Sequence, residues 1–239
     1  MAANLIVFAA FATLIGLGTW QIERRAWKLD VIATMETRLA QPPRPLSELI
    51  ASAGGDWGTL DYRPARVTGR FAHDREMYLA ARSYQGRIGY HVVTPLITDF
   101  GGGASAVLVD RGWVSHETQS PASRPAGQVP GEVTIAGILR RPSPAALFTP
   151  DNQPDRNHWY WVDIAAMARH AGLVAPPILL EAGPAENPGG LPIGGLTRVT
   201  LTNNHLSYAL TWYGLAAALA VIYLVSRRRA AGASPHSSP

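Results

Sequence analysis

The chain is apolar at both ends and carries its charge between them, which restricts it to an anchored protein whose middle forms a domain outside the bilayer. From Leu206 to Val225 there is no formal charge, and a helix of that length, at about 1.5 Å per residue, reaches the roughly 30 Å of a hydrocarbon core. The run from Ala2 to Gly18 is also uncharged. It lies near the lower length limit and reads either as a signal-peptide core or as a spanning anchor. We favour the anchor. It opens on MAANL without a basic start, and it leaves through Gly18-Thr19-Trp20-Gln21, an aromatic exit suited to the membrane interface rather than an A-x-A-like cleavage site.

Two spans put both termini on one side of the membrane. Arg227, Arg228 and Arg229 follow the second span directly, and a basic cluster there favours a cytoplasmic C-terminus. Arg24, Arg25 and Lys28 argue the other way, since this topology leaves them outside, although Glu23 and Asp30 lie among them. The organisation expected is a first transmembrane helix over 1–20, an outer domain over 21–203, a second transmembrane helix over 204–226, and a basic, disordered cytoplasmic tail over 227–239.

The chain has no cysteine, so the outer domain forms without disulfides and offers no thiolate ligand or nucleophile. A net charge of +4 is mild. Its basic residues are scattered, without the aromatic interleaving of a nucleic-acid surface, so no nucleic-acid partner is expected. The middle segment, about 180 residues, is long enough for one domain with its own core.

Leu29, Ile32, Met35 and Leu39 repeat at helical spacing and extend or follow the first span as a helix, which Gln41-Pro42-Pro43-Arg44-Pro45 ends. A short helix is expected over 46–53, with Ser47 as its cap and Gly54-Gly55 as its stop. The texture then turns to β. Strands are expected at 66–71, 76–81, 89–94, 106–114, 131–139 and 177–181, with a hairpin turn at Gly101-Gly102-Gly103. A helix follows Asp163 from Ile164 to His170. Segments 119–130 and 183–195, rich in Pro, Gly and Ser or Asn, read as mobile loops, the second feeding a last strand into the second span. The fold class is α+β: two transmembrane helices flanking a mainly antiparallel, β-rich extracytoplasmic domain.

The sequence lacks a Walker loop, a G-x-G-x-x-G turn, H-E-x-x-H and a G-x-S-x-G elbow. No catalytic residue is assigned, and the chain is not expected to be an enzyme. His73, His91, His116, His158 and His170 are scattered without metal-ligand spacing and read as structural, with His91 and His158 in packing and His170 at a helix C-terminus. His205 stands apart. It lies at the threshold of the second span, where an imidazole is hydrated, hydrogen-bonded or coordinated. It either caps and anchors that helix beside Asn203 and Asn204, or serves as a ligand. His205, Tyr208 and Trp212, at i, i+3 and i+7, share a helix face able to offer an imidazole and aromatic walls to a planar macrocycle. Thr19, Trp20 and Gln21 leave the first span at the level of His205, so a hairpin of the two spans brings them together.

Four motifs then occur in order. They are Gly18-Thr19-Trp20-Gln21 with Arg24, Trp27 and Lys28; Gly86-x-x-Gly89-Tyr90 leading to Val93-Thr94-Pro95-Leu96; Val109-Asp110-Arg111-Gly112-Trp113-Val114; and Asn204-His205-x-x-Tyr208-x-x-Thr211-Trp212-Tyr213. Together they resemble the Surfeit-locus family of cytochrome c oxidase assembly factors, over about residues 14–225. The resemblance implies an assembly factor that binds haem a and assists its insertion into the catalytic subunit of the oxidase, with haem a synthase as a further partner and lipid around the spans. It implies His205 as ligand to the haem iron. Trp20, Gln21, Tyr208 and Trp212 become candidate pocket residues, and Arg111 and Trp113 supports of the outer domain. The alternative function is a membrane scaffold that stabilises an oxidase subunit without holding haem. The first span opens at the initiating methionine with no basic flank or visible presequence, and with the Ala, Gly, Pro and Arg bias the expectation is a bacterial inner-membrane protein whose central domain is periplasmic.

Overall fold

The computed structural model describes residues 2–98, 100, 105–197 and 202–232. The chain forms two compact units, Met1–Met35 with Thr200–Pro239, and Glu36–Val199. The first is helical. Helix α1 (Ala2–Leu39) and helix α4 (His205–Gly232) are both long and apolar enough to cross a membrane. α1 runs unbroken through the expected amphipathic stretch, so span and extension are one helix. In α4 the helix carries on through Arg227, Arg228 and Arg229 to Gly232, which sets the basic cluster on helical turns; the rest of the expected tail, 233–239, lies outside the described residues.

Hydrocarbon offers no hydrogen-bond partners, and three threonine hydroxyls on these helices find them internally. Thr13 donates to the Ala9 carbonyl, Thr19 to Ile15 and Thr211 to Ser207. The two helices touch along an antiparallel seam. The Phe8 and Tyr223 rings meet edge to face at 6.0 Å, Thr19 Oγ1 and the Tyr213 hydroxyl lie 3.1 Å apart, and Gln21 meets His205. Gly18 makes the close approach possible, because a Cβ there would stand 2.6 Å from the Tyr213 ring.

The second unit is built on eight strands: β1 (Arg44–Pro45), β2 (Pro64–Phe71), β3 (Met77–Tyr84), β4 (Arg87–Ile97), β5 (Ala106–Ser115), β6 (Glu132–Arg140), β7 (His158–Trp159) and β8 (Leu179–Ala182). Pairing is antiparallel except for β1–β2, β3–β7 and β5–β8. Five strands close on themselves in the order β2–β6–β8–β5–β4. The ring is completed where β4 returns to β2 through Arg70↔Ile97 and Phe71↔Leu96. Gly69 permits that closure, since a Cβ there would fall 2.3 Å from the Ile97 carbonyl oxygen. The expected Gly101–Gly103 turn and the last strand into the second span lie outside the described residues.

Alternation along the strands divides the core in two. Val67, Leu96, Val107, Val109, Leu139 and Leu180 form one cluster, to which helix α2 (Leu46–Ala53) adds Leu46 and Leu49. Their neighbours on the opposite face, Leu79, Val93, Leu108 and Leu179, pack with Trp159 and with Ile164 and Met167 of helix α3 (Ile164–His170). All ten residues of β5 are buried, as expected for a strand covered on both faces.

Both short helices occupy the spans the sequence predicts. Asp163 caps α3 by accepting from the Ala166 N–H, and Gly54, at φ 55°, ends α2 in the left-handed conformation. Ser47 does not cap α2. The cap position falls two residues earlier, at Pro45, whose ring presets φ at −53° and whose backbone pairs with β2. The two segments read as mobile loops are also held. Residues 121–127 wind into two short 3₁₀ turns, and Arg124 between them is buried. In the other, Ile193 and Trp113 exchange backbone hydrogen bonds of 2.8 and 2.9 Å.

A buried ion cluster pins the first segment. Glu76 accepts from Arg111 at 3.2 Å, from both terminal nitrogens of Arg124, and from Gln128 at 3.2 Å. Arg111 also donates to the Gly127 carbonyl and lies 4.7 Å over the Phe71 ring. Burial lowers the Arg111 pKa to about 10, with Glu76 opposing the shift and Arg124 adding to it. Arg111, expected to support the domain, thus stands at the centre of a charge cluster, and the Trp113 indole donates to the Arg82 carbonyl at 3.1 Å.

Candidate functional site at the start of helix α4

α4 begins at His205, with the first intrahelical bond running from the Tyr208 N–H to the Asn204 carbonyl. A histidine at that position has two ways to use its ring: to cap the free N–H groups of its own helix, or to reach across. It reaches across. His205 Nδ1 lies 2.7 Å from Gln21 Oε1 on α1. Gln21 is buried and His205 half-buried. An amide oxygen can only accept, so Nδ1 carries the proton and donates, which in the neutral form of imidazole puts the lone pair on Nε2. That is the tautomer a histidine needs to bind a metal through Nε2, with its other nitrogen held by a second residue.

Beside this pair is a cavity of about 280 Å³ lined by Gln21, Thr202, Asn204, His205 and Tyr208. Of the five residues singled out in the sequence, three line it: Gln21, His205 and Tyr208. Trp20 and Trp212 do not. Trp20 is exposed beside Gln21, and Trp212 is half-buried one helical turn beyond Tyr208. Sequence reasoning missed Thr202 and Asn204 as lining residues. Asn204 carried a signal, being a polar residue at a helix start. Tyr213, whose ring and hydroxyl meet Gly18 and Thr19, was also missed, because that contact depends on the rotational phase of two helices.

The outer domain has a larger cavity, about 640 Å³, at the polar end of the cluster under α3. His91 and Asp110 meet there at 2.8 Å, with the other Asp110 oxygen accepting from the Gly112 N–H at 2.9 Å. Glu181 is the register neighbour of Asp110 on β8, and burial raises its pKa. His91, read as packing, is therefore a hydrogen-bonded partner of a carboxylate. Of the other histidines singled out, His73 Nε2 lies 3.0 Å from the Val129 carbonyl, His116 stacks on Tyr90, which His158 meets edge to face, and His170 meets Trp159 edge to face.

Known proteins resemble this chain along most of its length. Surfeit locus protein 1 of Mus musculus is 42% identical over 227 residues, covering 89% of this chain and 71% of its own. The Homo sapiens protein of the same name is 40% identical, with 88% and 73% covered. A SURF1-like protein of Monosiga brevicollis is 37% identical, with 94% and 87% covered. The sequence model of the SURF1 family matches residues 8–217, which takes in most of α1, the strand ring, the start of α4 and the Gln21–His205 pair, and the chain belongs to that family.

Proposed function

We propose that this protein is a membrane-anchored assembly factor for cytochrome c oxidase that holds haem a at His205 and assists its insertion into the catalytic subunit. Family membership and two helices able to cross a bilayer support the assembly role. The observation that carries the cofactor reading is the Gln21–His205 bond, which engages Nδ1 and, among the described residues, leaves Nε2 as the atom available to ligate. Haem a, when bound, would supply an iron for His205 to ligate through Nε2.

The chain's own residues then divide the work. Gln21 fixes the ring orientation and tautomer of His205. Because it is a neutral amide rather than a carboxylate, it adds little charge to the imidazole and keeps the ligand moderate in strength, which suits a carrier that must release its cargo. Tyr208 lines the same cavity, and we assign Trp20 and Trp212 to its aromatic surroundings. The spans leave most of their side chains exposed, as lipid contact requires. We place the protein in a bacterial inner membrane with Arg227, Arg228 and Arg229 cytoplasmic and the β-domain periplasmic, after the positive-inside rule. The catalytic subunit of the oxidase, and haem a synthase upstream of it, are the partners this role requires.

The test is the visible spectrum and extracted haem type of the detergent-purified protein, coexpressed with haem a synthesis enzymes, beside a folded His205→Ala control. Haem a bound by the wild type and lost or spectrally altered in the control is the expected result. Haem a absent from both, despite a working supply, overturns the carrier and leaves the scaffold.

A further inference from the structure

The loop after β6 breaks two rules that soluble loops obey. From Arg140 to Pro150 it reads Arg-Arg-Pro-Ser-Pro-Ala-Ala-Leu-Phe-Thr-Pro. Ala145, Ala146, Leu147 and Phe148 are four consecutive exposed apolar residues, a run that is a folding and solubility liability unless it has a use. Leu147 is 84% and Phe148 93% exposed. The Thr149 N–H to Ala146 carbonyl bond, 2.9 Å, closes a turn with these two side chains at its tip. Phe148 holds φ 73°, in the turn position where glycine or asparagine normally stands. A bulky aromatic residue there is strained, and burial in the domain gives nothing back.

We propose that this tip is a membrane-insertion loop through which the outer domain docks on the lipid surface. Three observations select lipid over a protein partner. Two large side chains offer a few hundred Å² at most, well below the roughly 1,000 Å² of a stable protein interface. The chain has an apolar helix able to span a bilayer on either side of the domain in sequence, so the loop samples lipid at an effective concentration on the order of millimolar, where weak insertion suffices. The tip itself also carries nothing that an anionic surface repels: no acidic residue occurs from Arg140 to Pro150, with exposed Arg141 at one base of the loop and exposed Asp151 at the other. Pro142, Pro144 and Pro150 stiffen the loop, which lowers the entropy lost on insertion.

Because the chain has no cysteine, a single introduced thiol labels one site cleanly. Full-length Phe148→Cys, carrying a nitroxide and reconstituted in nanodiscs of phosphatidylcholine and phosphatidylglycerol, is compared with Ala165→Cys on the exposed side of α3. Electron paramagnetic resonance power saturation reads collision with oxygen, which concentrates in lipid, and with a water-soluble nickel chelate. The expected result is oxygen accessibility several-fold above nickel accessibility at position 148, and the reverse at 165. Nickel accessibility at 148 equal to that at 165 overturns the proposal. Low accessibility to both reagents at 148 also overturns it, by placing the tip in a protein pocket.

Discussion

The two units of the molecule are held by opposite means. The outer domain buries a core on both faces of its sheet, closes its strand ring and pairs its buried charges within itself. The helical unit buries almost none of its large side chains, leaving Leu5, Ile6, Phe8, Leu210, Val221 and Ile222 exposed, and its two helices meet at a glycine, a few ring and hydroxyl contacts, and the Gln21–His205 bond. Where packing is dense, a substitution is felt as stability. Where packing is sparse and lipid supplies the rest, a polar contact can be reserved for a ligand, and a substitution there is felt as binding.

The largest effect that would sharpen this contrast is expected at Glu76. Glu76→Gln leaves Arg111 and Arg124 buried without their counter-charge and is expected to destabilise the outer domain by about 3–5 kcal/mol. Urea denaturation of the detergent-solubilised chain measures it, and haem a per folded molecule should stay unchanged. Two glycines compare the units directly. At Gly69 the added Cβ meets backbone, the Ile97 carbonyl oxygen, which cannot move without opening the ring, so Gly69→Ala is expected to cost about 1–3 kcal/mol. At Gly18 it meets the Tyr213 side chain, which can swing toward lipid, and Gly18→Ala should cost less in the same assay.

Gln21→Ala breaks the comparison from the other side. It is expected to weaken haem a binding about 10–100-fold while leaving the thermal midpoint of the outer domain in place. A midpoint that drops with the binding would show that the pair serves folding instead.

The smallest effect concerns Glu181, whose carboxyl is raised by burial and further by Asp110, against Thr197, Arg140 and His91. The folded state therefore binds this proton more tightly than the unfolded chain, so stability falls as pH rises through the ordinary carboxylate range to the raised folded value. Glu181→Gln removes that penalty. It is expected to equal or slightly exceed the wild type in stability at neutral pH, with the gap closing below the ordinary glutamate value.

Local features of this fold were legible because they follow from local forces. The α3 cap at Asp163, the α2 stop at Gly54 and the alternation of β2 and β6 each rest on residues a few positions apart. Closure of the ring was not legible, since Gly69 announces a close approach without naming Ile97 as the partner. The parallel pairing of β5 with β8 and the two-residue strands β1 and β7 were hidden for the same reason. Segment 119–130 looked mobile from its Pro, Gly and Ser content, yet one buried side chain, Arg124, fixes it, and only tertiary structure reveals the carboxylate it answers. At the site, a hairpin of spans put Thr19, Trp20 and Gln21 level with His205. Helical phase then selected Gln21, which no composition argument specifies.

The most direct test of the central claim, that His205 is held for ligation through Nε2, is imidazole rescue. His205→Gly, purified from cells making haem a, should lack the wild-type visible spectrum and regain it when free imidazole is added to the purified protein together with haem a. A His205→Gly protein that carries full haem a with the wild-type spectrum before any imidazole is added would contradict the account.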